Sequence, residues 1–169
     1  YIRTYKLKGI VTNCSNNYGP NQHPEKLIPK WIYNIIHNLP LPLYAKGKNS
    51  REWIFVKDHC EALLKVYERG KVGEFYNIGS NLNFKNIDIA KQLLSVAKKK
   101  IKLGNKVKII FVKDRPGHDF RYAADNSKIL STGWKPIENF DTSLENIIAG
   151  YQSNEKWWKI NYEDTLAKR

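Results

Sequence analysis

The sequence contains no methionine and only two cysteines in 169 residues. Cys14 and Cys60 belong to no C-x-x-C pair and have no paired histidines near them, so neither a zinc site nor a disulfide framework is supported. We therefore expect two buried free thiols and no bound metal. The first residues resemble the last turn of an amphipathic helix, and the chain does not open on methionine, so we expect a portion of a longer protein.

Long apolar runs are also missing. No stretch approaches the ~18 residues that would span a bilayer, and the N-terminal residues lack the apolar segment of a signal peptide. We expect a cytoplasmic protein without membrane association. The 41% hydrophobic and 12% aromatic content is sufficient for one ordinary core.

Acidic residues are scarce, with 16 against 29 basic residues and a net charge of +13. Residues 91–113 contain eight lysines and no acidic residue. This balance leaves a basic nucleic-acid-binding module open as the alternative from another functional class. However, arginines are few and no recognition motif accompanies the lysines, so we favour a solvated basic face and expect no nucleic-acid partner.

Several catalytic and cofactor motifs are absent. The chain has no G-x-G-x-x-G, G-x-x-x-x-G-K-[ST], G-x-S-x-G or H-E-x-x-H. Two Tyr-x-x-x-Lys matches, at Tyr44 and Tyr67, run through turns, so Tyr and Lys would not share a helical face in either. We therefore predict no catalytic residue within these 169 residues, and any cofactor loop of the parent protein must lie elsewhere.

What is present is an alternation of strand and helix patterns along the whole chain. This alternation predicts an α/β fold. The expected strands cover 9–14, 40–44, 51–56, 73–79 and 107–112, and helices are expected to begin near residues 24, 58, 86, 126 and 142. We expect Gly70 to end one helix in the left-handed conformation, Asn86 to cap the next and Asp141 to cap the last.

Polar loops are the candidate binding elements. Asn16 and Asn17 follow the first strand and offer amide groups at its carboxyl end, where α/β proteins commonly bind ligands, although they could simply shape an Asx turn. Glu25 and Lys26 are expected in the first turn of the following helix, whose N-terminus attracts anions.

Two cationic positions could hold a phosphate group. Arg51 follows a polar turn and could bind a phosphate with its guanidinium, or alternatively form a surface salt bridge with Glu52. The loop DRPGHDFRY at 114–122 places two arginines and a histidine around a Pro-Gly turn, which would suit a diphosphate. His23, His37 and His59 lack such a context and are expected to face solvent or to pack.

Longer motifs then occur in order along nearly the whole chain: TNCSNNYGP, PEKLIP, LPLYAKGKNSREW, VKDH, GEFYNIG, DRPGHD-x-RY, GWKP and a closing WW. Together they resemble the C-terminal portion of the sugar-nucleotide dehydratases of the extended short-chain dehydrogenase/reductase family. DRPGHD with CSNNYGP is typical of the dTDP-glucose 4,6-dehydratase branch. The resemblance implies the last Rossmann strands plus a small α/β substrate domain, with residues 1–169 as the sugar-nucleotide-binding portion and the N-terminal NAD-binding part absent.

The resemblance also implies an activity. The parent enzyme would oxidise a dTDP-sugar at C4 with NAD, eliminate water across C5 and C6, and return the hydride to C6. NAD would be bound mainly by the missing N-terminal part, and the fragment alone would be inactive. The parent would be a homodimer, whereas the oligomeric state of the fragment is doubtful. A UDP-glucuronate decarboxylase or an epimerase of the same fold is the near alternative.

Residue roles follow from the same resemblance. Asn17 would contact NAD. The substrate-binding residues would be Asn16, Lys26, Leu27, Pro42, Leu43, Tyr44, Arg51, Asn86, Asp114, Arg115, Pro116, Gly117 and His118. Three positions depart from the family pattern, because Glu52, Phe55 and Phe120 replace the more usual Asp, Tyr and Arg. The last replacement would weaken anion binding slightly.

Overall fold

A computed structural model describes residues 1–114 and 116–154, and the expected closing WW lies outside the described residues. In chain order the elements are α1 (Ile2–Tyr5), β1 (Val11–Cys14), β2 (Asn16–Tyr18), α2 (Leu27–Ile36), β3 (Leu41–Tyr44), a 3-10 helix (Ala45–Gly47), β4 (Ser50–Phe55), α3 (Val56–Arg69), β5 (Phe75–Ile78), β6 (Asn83–Lys85), α4 (Asn86–Lys100), β7 (Ile109–Val112), β8 (Arg121–Tyr122), α5 (Ser127–Leu130) and α6 (Phe140–Ser153). The predicted α/β class is confirmed.

The chain forms two compact units. Unit 1 comprises Tyr1–Asn17, Ser50–Phe84 and Arg121–Glu138, and unit 2 comprises Tyr18–Asn49, Lys85–Phe120 and the described residues from Asn139 onward. Each unit is therefore assembled from sequence segments that are far apart, because the chain passes between the two units several times.

Unit 1 contains two small sheets. In one, β1 and β5 pair in parallel with Val11 opposite Phe75. In the other, the strand order is β2-β4-β6, and β8 pairs in parallel with β4. The apolar faces of α3 and α5 cover a core whose buried members are Ile54, Ala62, Val66, Tyr76, Ile78, Ile129 and Trp134.

Unit 2 is built on one parallel pair of strands, β3 and β7, with Leu41 opposite Ile109 and Tyr44 opposite Val112. Helices α2, α4 and α6 pack on one another, and α2 and α4 also pack on β3. The buried residues of α2 recur at helical spacing: Ile28, Trp31, Ile32 and Ile35. This unit carries most of the predicted substrate-binding residues.

The start of α2 differs from the prediction. The helix begins at Leu27, with Lys26 at the N-cap position, so Glu25 and Lys26 are not in its first turn. Pro29 gives the physical reason. A helix beginning at residue 24 or 25 would need a backbone N–H from Pro29, whereas a start at Leu27 places the proline in the first turn, where no N–H is required.

Two predicted helix caps are wrong. Asn86 makes no cap, because it is the first residue of α4 and Lys85 occupies the N-cap position; its backbone N–H donates to the carbonyl oxygen of Asn49 at 2.9 Å. In α6 the cap is Asn139, whose Oδ1 accepts from the Thr142 backbone N–H at 3.1 Å, while Asp141 accepts from Gln92 at 2.6 Å. At α4 a tertiary contact therefore stands where we expected a local cap, whereas α6 keeps a local cap that lies two residues before the predicted one.

Gly70 ends α3, but its φ of −73° is extended and not left-handed. The glycine is required for space instead. A Cβ at this position would lie 2.4 Å from the Val66 carbonyl oxygen and 2.8 Å from Ile10.

Gly47 is the position where glycine is required by both conformation and space. Its φ is +71°, and a Cβ would lie 2.6 Å from Leu43 and 2.7 Å from Ile87. We expect Gly47→Ala to lower the free energy of unfolding by about 2–4 kcal/mol, because left-handed strain and overpacking add. Gly150→Ala in α6 is the matched control, since no described atom lies within 4 Å of its Cβ, and it should be neutral or slightly stabilising. Urea unfolding of both variants measures the difference, and equal midpoints would contradict the packing argument.

Further sequence predictions have mixed outcomes. The five expected strands are confirmed with ends that differ by one or two residues from the prediction, whereas β2, β6 and β8 were not predicted. Both cysteines are free as expected but exposed, not buried.

The eight lysines of 91–113 are exposed, as the solvated-face interpretation requires, and Lys99 and Lys100 pair with Glu145 at 3.7 and 3.5 Å. None of the described helices has both the length and the apolar character to cross a membrane.

Candidate functional site

Unit 1 places three predicted binding residues on neighbouring strands. Asn16 and Asn17 lie on β2, Arg51 lies on β4, and these strands are adjacent in the sheet. All three side chains are partly buried. Arg51 donates from Nη1 to the Ser50 carbonyl oxygen at 2.7 Å, which limits the freedom of its guanidinium. The strand pairing therefore places two amides and one cation on adjacent strands.

Hydrogen bonds at both the nitrogen and the oxygen of the Asn17 side-chain amide fix its orientation. Its Nδ2 donates to the Ser15 carbonyl oxygen at 3.2 Å, and its Oδ1 lies 2.9 Å from Nδ1 of His59 on α3. Since a carbonyl oxygen only accepts, Nδ1 of His59 must carry the proton. His59 was not predicted as a site residue, because nothing in the sequence signals a contact between residues so far apart.

Burial lowers the pKa of the His59 imidazole below its ordinary value, because a partly desolvated imidazolium is disfavoured. As the pH falls through about 6.5, the unfolded chain takes up a proton at this histidine before the folded chain does. The free energy of unfolding therefore falls with falling pH. We expect His59→Gln, which cannot titrate, to lose less stability between about pH 7.5 and about pH 5.5 than the wild type.

Urea unfolding at the two pH values measures this effect. His23→Gln is the comparison variant, since it replaces in the same way a histidine that is exposed in the described structure. A wild-type slope retained in His59→Gln would contradict the assignment.

The alternative interpretation of Arg51, a surface salt bridge with Glu52, is wrong because Glu52 is only 1% exposed. Its carboxylate accepts from the backbone N–H groups of Asn81 and Ala124 at 2.7 and 3.1 Å, and from Nδ2 of Asn126 at 2.7 Å. Glu52 therefore fixes the loops of unit 1 beside β4.

In unit 2, the end of β3 carries Pro42, Leu43 and Tyr44 and is held by a side chain of α2. The indole Nε1 of Trp31 on α2 donates to the Pro42 carbonyl oxygen at 3.1 Å. Leu43 is buried, whereas Tyr44 is partly exposed. The α2 helix that supplies Trp31 also carries half-buried Leu27 at its first position, preceded by exposed Lys26. One helix and one strand end thus hold these predicted residues in a common region.

The 114–118 loop meets the same strand end. Its His118 ring lies edge-on to Tyr44, with 6.3 Å between ring centroids. Nδ1 of His118 is 2.7 Å from Oδ1 of Asp114, which orients the imidazole. Pro116 and Gly117 are exposed, and Arg115 lies outside the described residues. The aromatic ring of Tyr44 and the His118–Asp114 pair are therefore neighbours, as the sequence-based site requires.

Asn86 is linked by a backbone hydrogen bond to the turn that follows Tyr44. It is 8% exposed, lies at the start of α4, and is bonded to Asn49 in the turn that follows β3. Its side-chain Oδ1 is buried without a hydrogen-bond partner in the described structure. Unit 2 therefore combines a buried amide, an aromatic face and an imidazole, which are groups that suit a nucleoside diphosphate.

Two other kinds of site, a metal site and a helical Tyr-x-x-x-Lys pair, are absent from the described residues. Within 1–114 and 116–154, no three His, Cys, Asp or Glu side chains are grouped in a way that could hold a metal ion. Tyr44 lies on a strand, and Lys71 lies beyond the end of the helix that contains Tyr67. This confirms that neither Tyr-x-x-x-Lys match places its pair on one helical face.

The parallel strand pairs and the helices that join them fit a Rossmann-type fold of the extended short-chain dehydrogenase/reductase class. More narrowly, the chain belongs to the family described as GDP-mannose 4,6 dehydratase, which matches residues 1–147.

Individual relatives are more specific. The chain is 45% identical over 166 residues to the dTDP-glucose 4,6-dehydratase of Neisseria meningitidis, covering 94% of this chain and 47% of that protein. It is 47% identical over 164 residues to the Escherichia coli enzyme of the same name, covering 93% of this chain and 45% of that protein. The chain therefore spans about half the length of the curated relatives that it matches.

Solved structures also resemble this chain over about half of their own length. DesIV, a dTDP-glucose 4,6-dehydratase from Streptomyces venezuelae with NAD and TYD bound, is 39% identical with a TM-score of 0.87, over 95% of this chain and 49% of that one. The Bacillus cereus UDP-glucuronic acid 4-epimerase has a TM-score of 0.81 over 90% of this chain and 48% of that one, but it is only 21% identical, so it supports the fold alone.

Proposed function

We propose that this chain is the sugar-nucleotide-binding portion of an NAD-dependent dTDP-glucose 4,6-dehydratase, a lyase that converts dTDP-glucose to dTDP-4-keto-6-deoxyglucose with loss of water. The observation that carries this proposal is the meeting, in unit 2, of the end of β3, the first turn of α4 and the 114–118 loop. The chain as a whole is 45% and 47% identical to two relatives named dTDP-glucose 4,6-dehydratase.

Each unit would supply its own part of substrate recognition. In unit 2, residues 42–44 would lie against the base and ribose, Lys26, Leu27 and Asn86 would contact the nucleotide, and 114–118 would cover the diphosphate and ribose. In unit 1, Asn16 would contact the sugar nucleotide. Arg51 would bind the diphosphate, because a guanidinium forms strong charge-assisted hydrogen bonds with phosphate oxygens.

NAD is the implied cofactor, and in this chain Asn17 would contact its nicotinamide side. The residue fits this role because His59 and the Ser15 carbonyl hold its amide in one orientation while the side chain stays partly exposed. When bound, NAD supplies a reversible hydride acceptor. The protein's contribution here is to position the amide.

The 169 residues alone would not catalyse, since they contain no Gly-rich dinucleotide loop and no helical Tyr-x-x-x-Lys pair. Incubating the isolated chain with NAD and dTDP-glucose tests this statement, because a product lighter by one water would refute it. We further propose one sugar-nucleotide-binding portion over 1–169, a cytoplasmic location and a homodimeric parent enzyme.

The function itself is tested by calorimetric titration of the full-length protein with dTDP, UDP and GDP. We expect dTDP to bind most tightly, because the base would be selected at residues 42–44. Mass spectrometry of the product formed from dTDP-glucose and NAD should then detect the loss of water. Preference for UDP or GDP, or a product of unchanged mass, would replace the dehydratase proposal with another sugar-nucleotide enzyme.

A further inference from the structure

The turn between β3 and β4 has an unusual backbone. Three consecutive residues, Ala45, Lys46 and Gly47, have positive φ values of 47°, 53° and 71°. This conformation is unfavourable for the two residues that are not glycine, and such conformations persist only where the surrounding structure holds them. The turn is held here by packing against the first turn of α4, where Gly47 faces Ile87.

Asn49 lies at the end of this turn and bonds to two distant segments. It is 2% exposed. Its carbonyl oxygen accepts the backbone N–H of Asn86 at 2.9 Å, and its Nδ2 donates to the Asp119 carbonyl oxygen at 3.0 Å. Lys85, the residue before α4, makes no side-chain cap, so the Asn49 carbonyl satisfies one of the free N–H groups at the start of this helix.

Half of the Asn49 amide is left unused in the described structure. Its Oδ1 is buried without a hydrogen-bond partner, as is Oδ1 of the adjacent Asn86. An unsatisfied buried acceptor costs free energy, so this oxygen does not stabilise the fold. The donor on Nδ2, which reaches a residue 70 positions away, is therefore the feature that explains an asparagine at this position.

We propose that Asn49 is a positioning residue for the nucleotide. Its amide holds the 114–119 loop beside the first turn of α4, so that His118 and Asn86 are presented to the same ligand. The inference rests on the proposed function and deepens it, since Asn49 acts on the ligand through the segments that it joins.

The test is Asn49→Asp in the full-length protein. Aspartate keeps the shape and Oδ1 but replaces the amide donor with a carboxylate oxygen, which cannot donate to the Asp119 carbonyl. We expect dTDP to bind about tenfold more weakly by calorimetry, in line with the loss of one buried hydrogen bond. We also expect faster amide hydrogen exchange in a peptide covering 114–122.

Asn34→Asp is the matched control. Asn34 is also in unit 2, is 6% exposed and donates from Nδ2 to the Pro40 carbonyl oxygen at 2.7 Å. The same substitution there should lower the melting temperature comparably while leaving dTDP affinity and exchange in 114–122 unchanged. If Asn49→Asp does not fold, Asn49→Ala gives the same comparison against Asn34→Ala without a buried charge.

The outcomes separate this inference from the function on which it rests. If the wild type binds dTDP and the Asn49 variant binds it equally well, or if both variants weaken binding equally, the positioning role is overturned and the proposed function stands. If the wild type does not bind dTDP, the proposed function fails and the positioning role fails with it.

Discussion

Replacing Arg51 with alanine is expected to weaken dTDP binding about 10- to 100-fold, because hydrogen bonds to a charged group contribute about 1.5–3 kcal/mol. The side chain is partly buried on β4, next to the strand of Asn16 and Asn17, and its Nη1 is bonded to the Ser50 carbonyl oxygen. This fixed geometry favours bidentate binding of phosphate oxygens. Arg51→Lys should recover only part of the affinity, since an ammonium group is a point charge.

Calorimetric titration of the full-length protein with dTDP measures the effect. Arg69→Ala is the matched control, since Arg69 is an arginine of the same unit whose Nη1 donates to the Thr132 carbonyl oxygen at 3.2 Å. We expect that control to bind dTDP as the wild type does. An equal loss of affinity in both variants would mean that net charge, and not Arg51 itself, accounts for binding.

Replacing Glu52 with alanine should have the largest effect on stability, a loss of about 3–5 kcal/mol in the free energy of unfolding. The buried carboxylate accepts three hydrogen bonds, from the backbone N–H groups of Asn81 and Ala124 and from the Asn126 amide. Truncation leaves all three donors unsatisfied and opens a cavity. A Cβ at Gly79 would lie 2.3 Å from the Glu52 carboxylate, so the backbone at Gly79 packs directly against this side chain.

Urea unfolding followed by circular dichroism gives this value. The matched control is Glu68→Ala, which breaks an exposed ion pair with Lys65 at 3.1 Å and should cost less than about 1 kcal/mol. Glu52→Gln should lie between the two, because it keeps the shape but loses acceptor capacity. Comparable losses for Glu52→Ala and Glu68→Ala would show that the buried network contributes little.

The fold class and most elements could be predicted because apolar periodicity is a local property. The residues that α2 buries, Ile28 and Trp31 among them, recur at the helical spacing that the sequence displays. The ends of elements were less predictable. Pro29 shifted the start of α2, and a backbone carbonyl from Asn49 replaced the expected Asn86 cap. Short strands such as β6 escaped notice because three residues carry almost no periodic signal.

Some residues of the candidate site could likewise be predicted from the sequence, and others could not. The motif that contains Tyr44 and the motif that contains His118 were each recognisable, and the structure brings the two rings within 6.3 Å. His59 and Asn49 were not recognised as site residues, because their importance lies in partners 42 and 70 positions away. A turn asparagine and a helix histidine look ordinary until those partners are known.

By itself, the sequence determined the α/β class, the polar strand ends and the family to which the chain belongs, because spacing and motif identity are written along the chain. Only the tertiary structure decided that Glu52 is a buried acceptor and not a partner of Arg51, that His59 orients Asn17, and that Asn49 joins α4 to the 114–119 loop. The physical reason is that a buried polar group must find its partner in space, and sequence spacing does not specify where that partner lies.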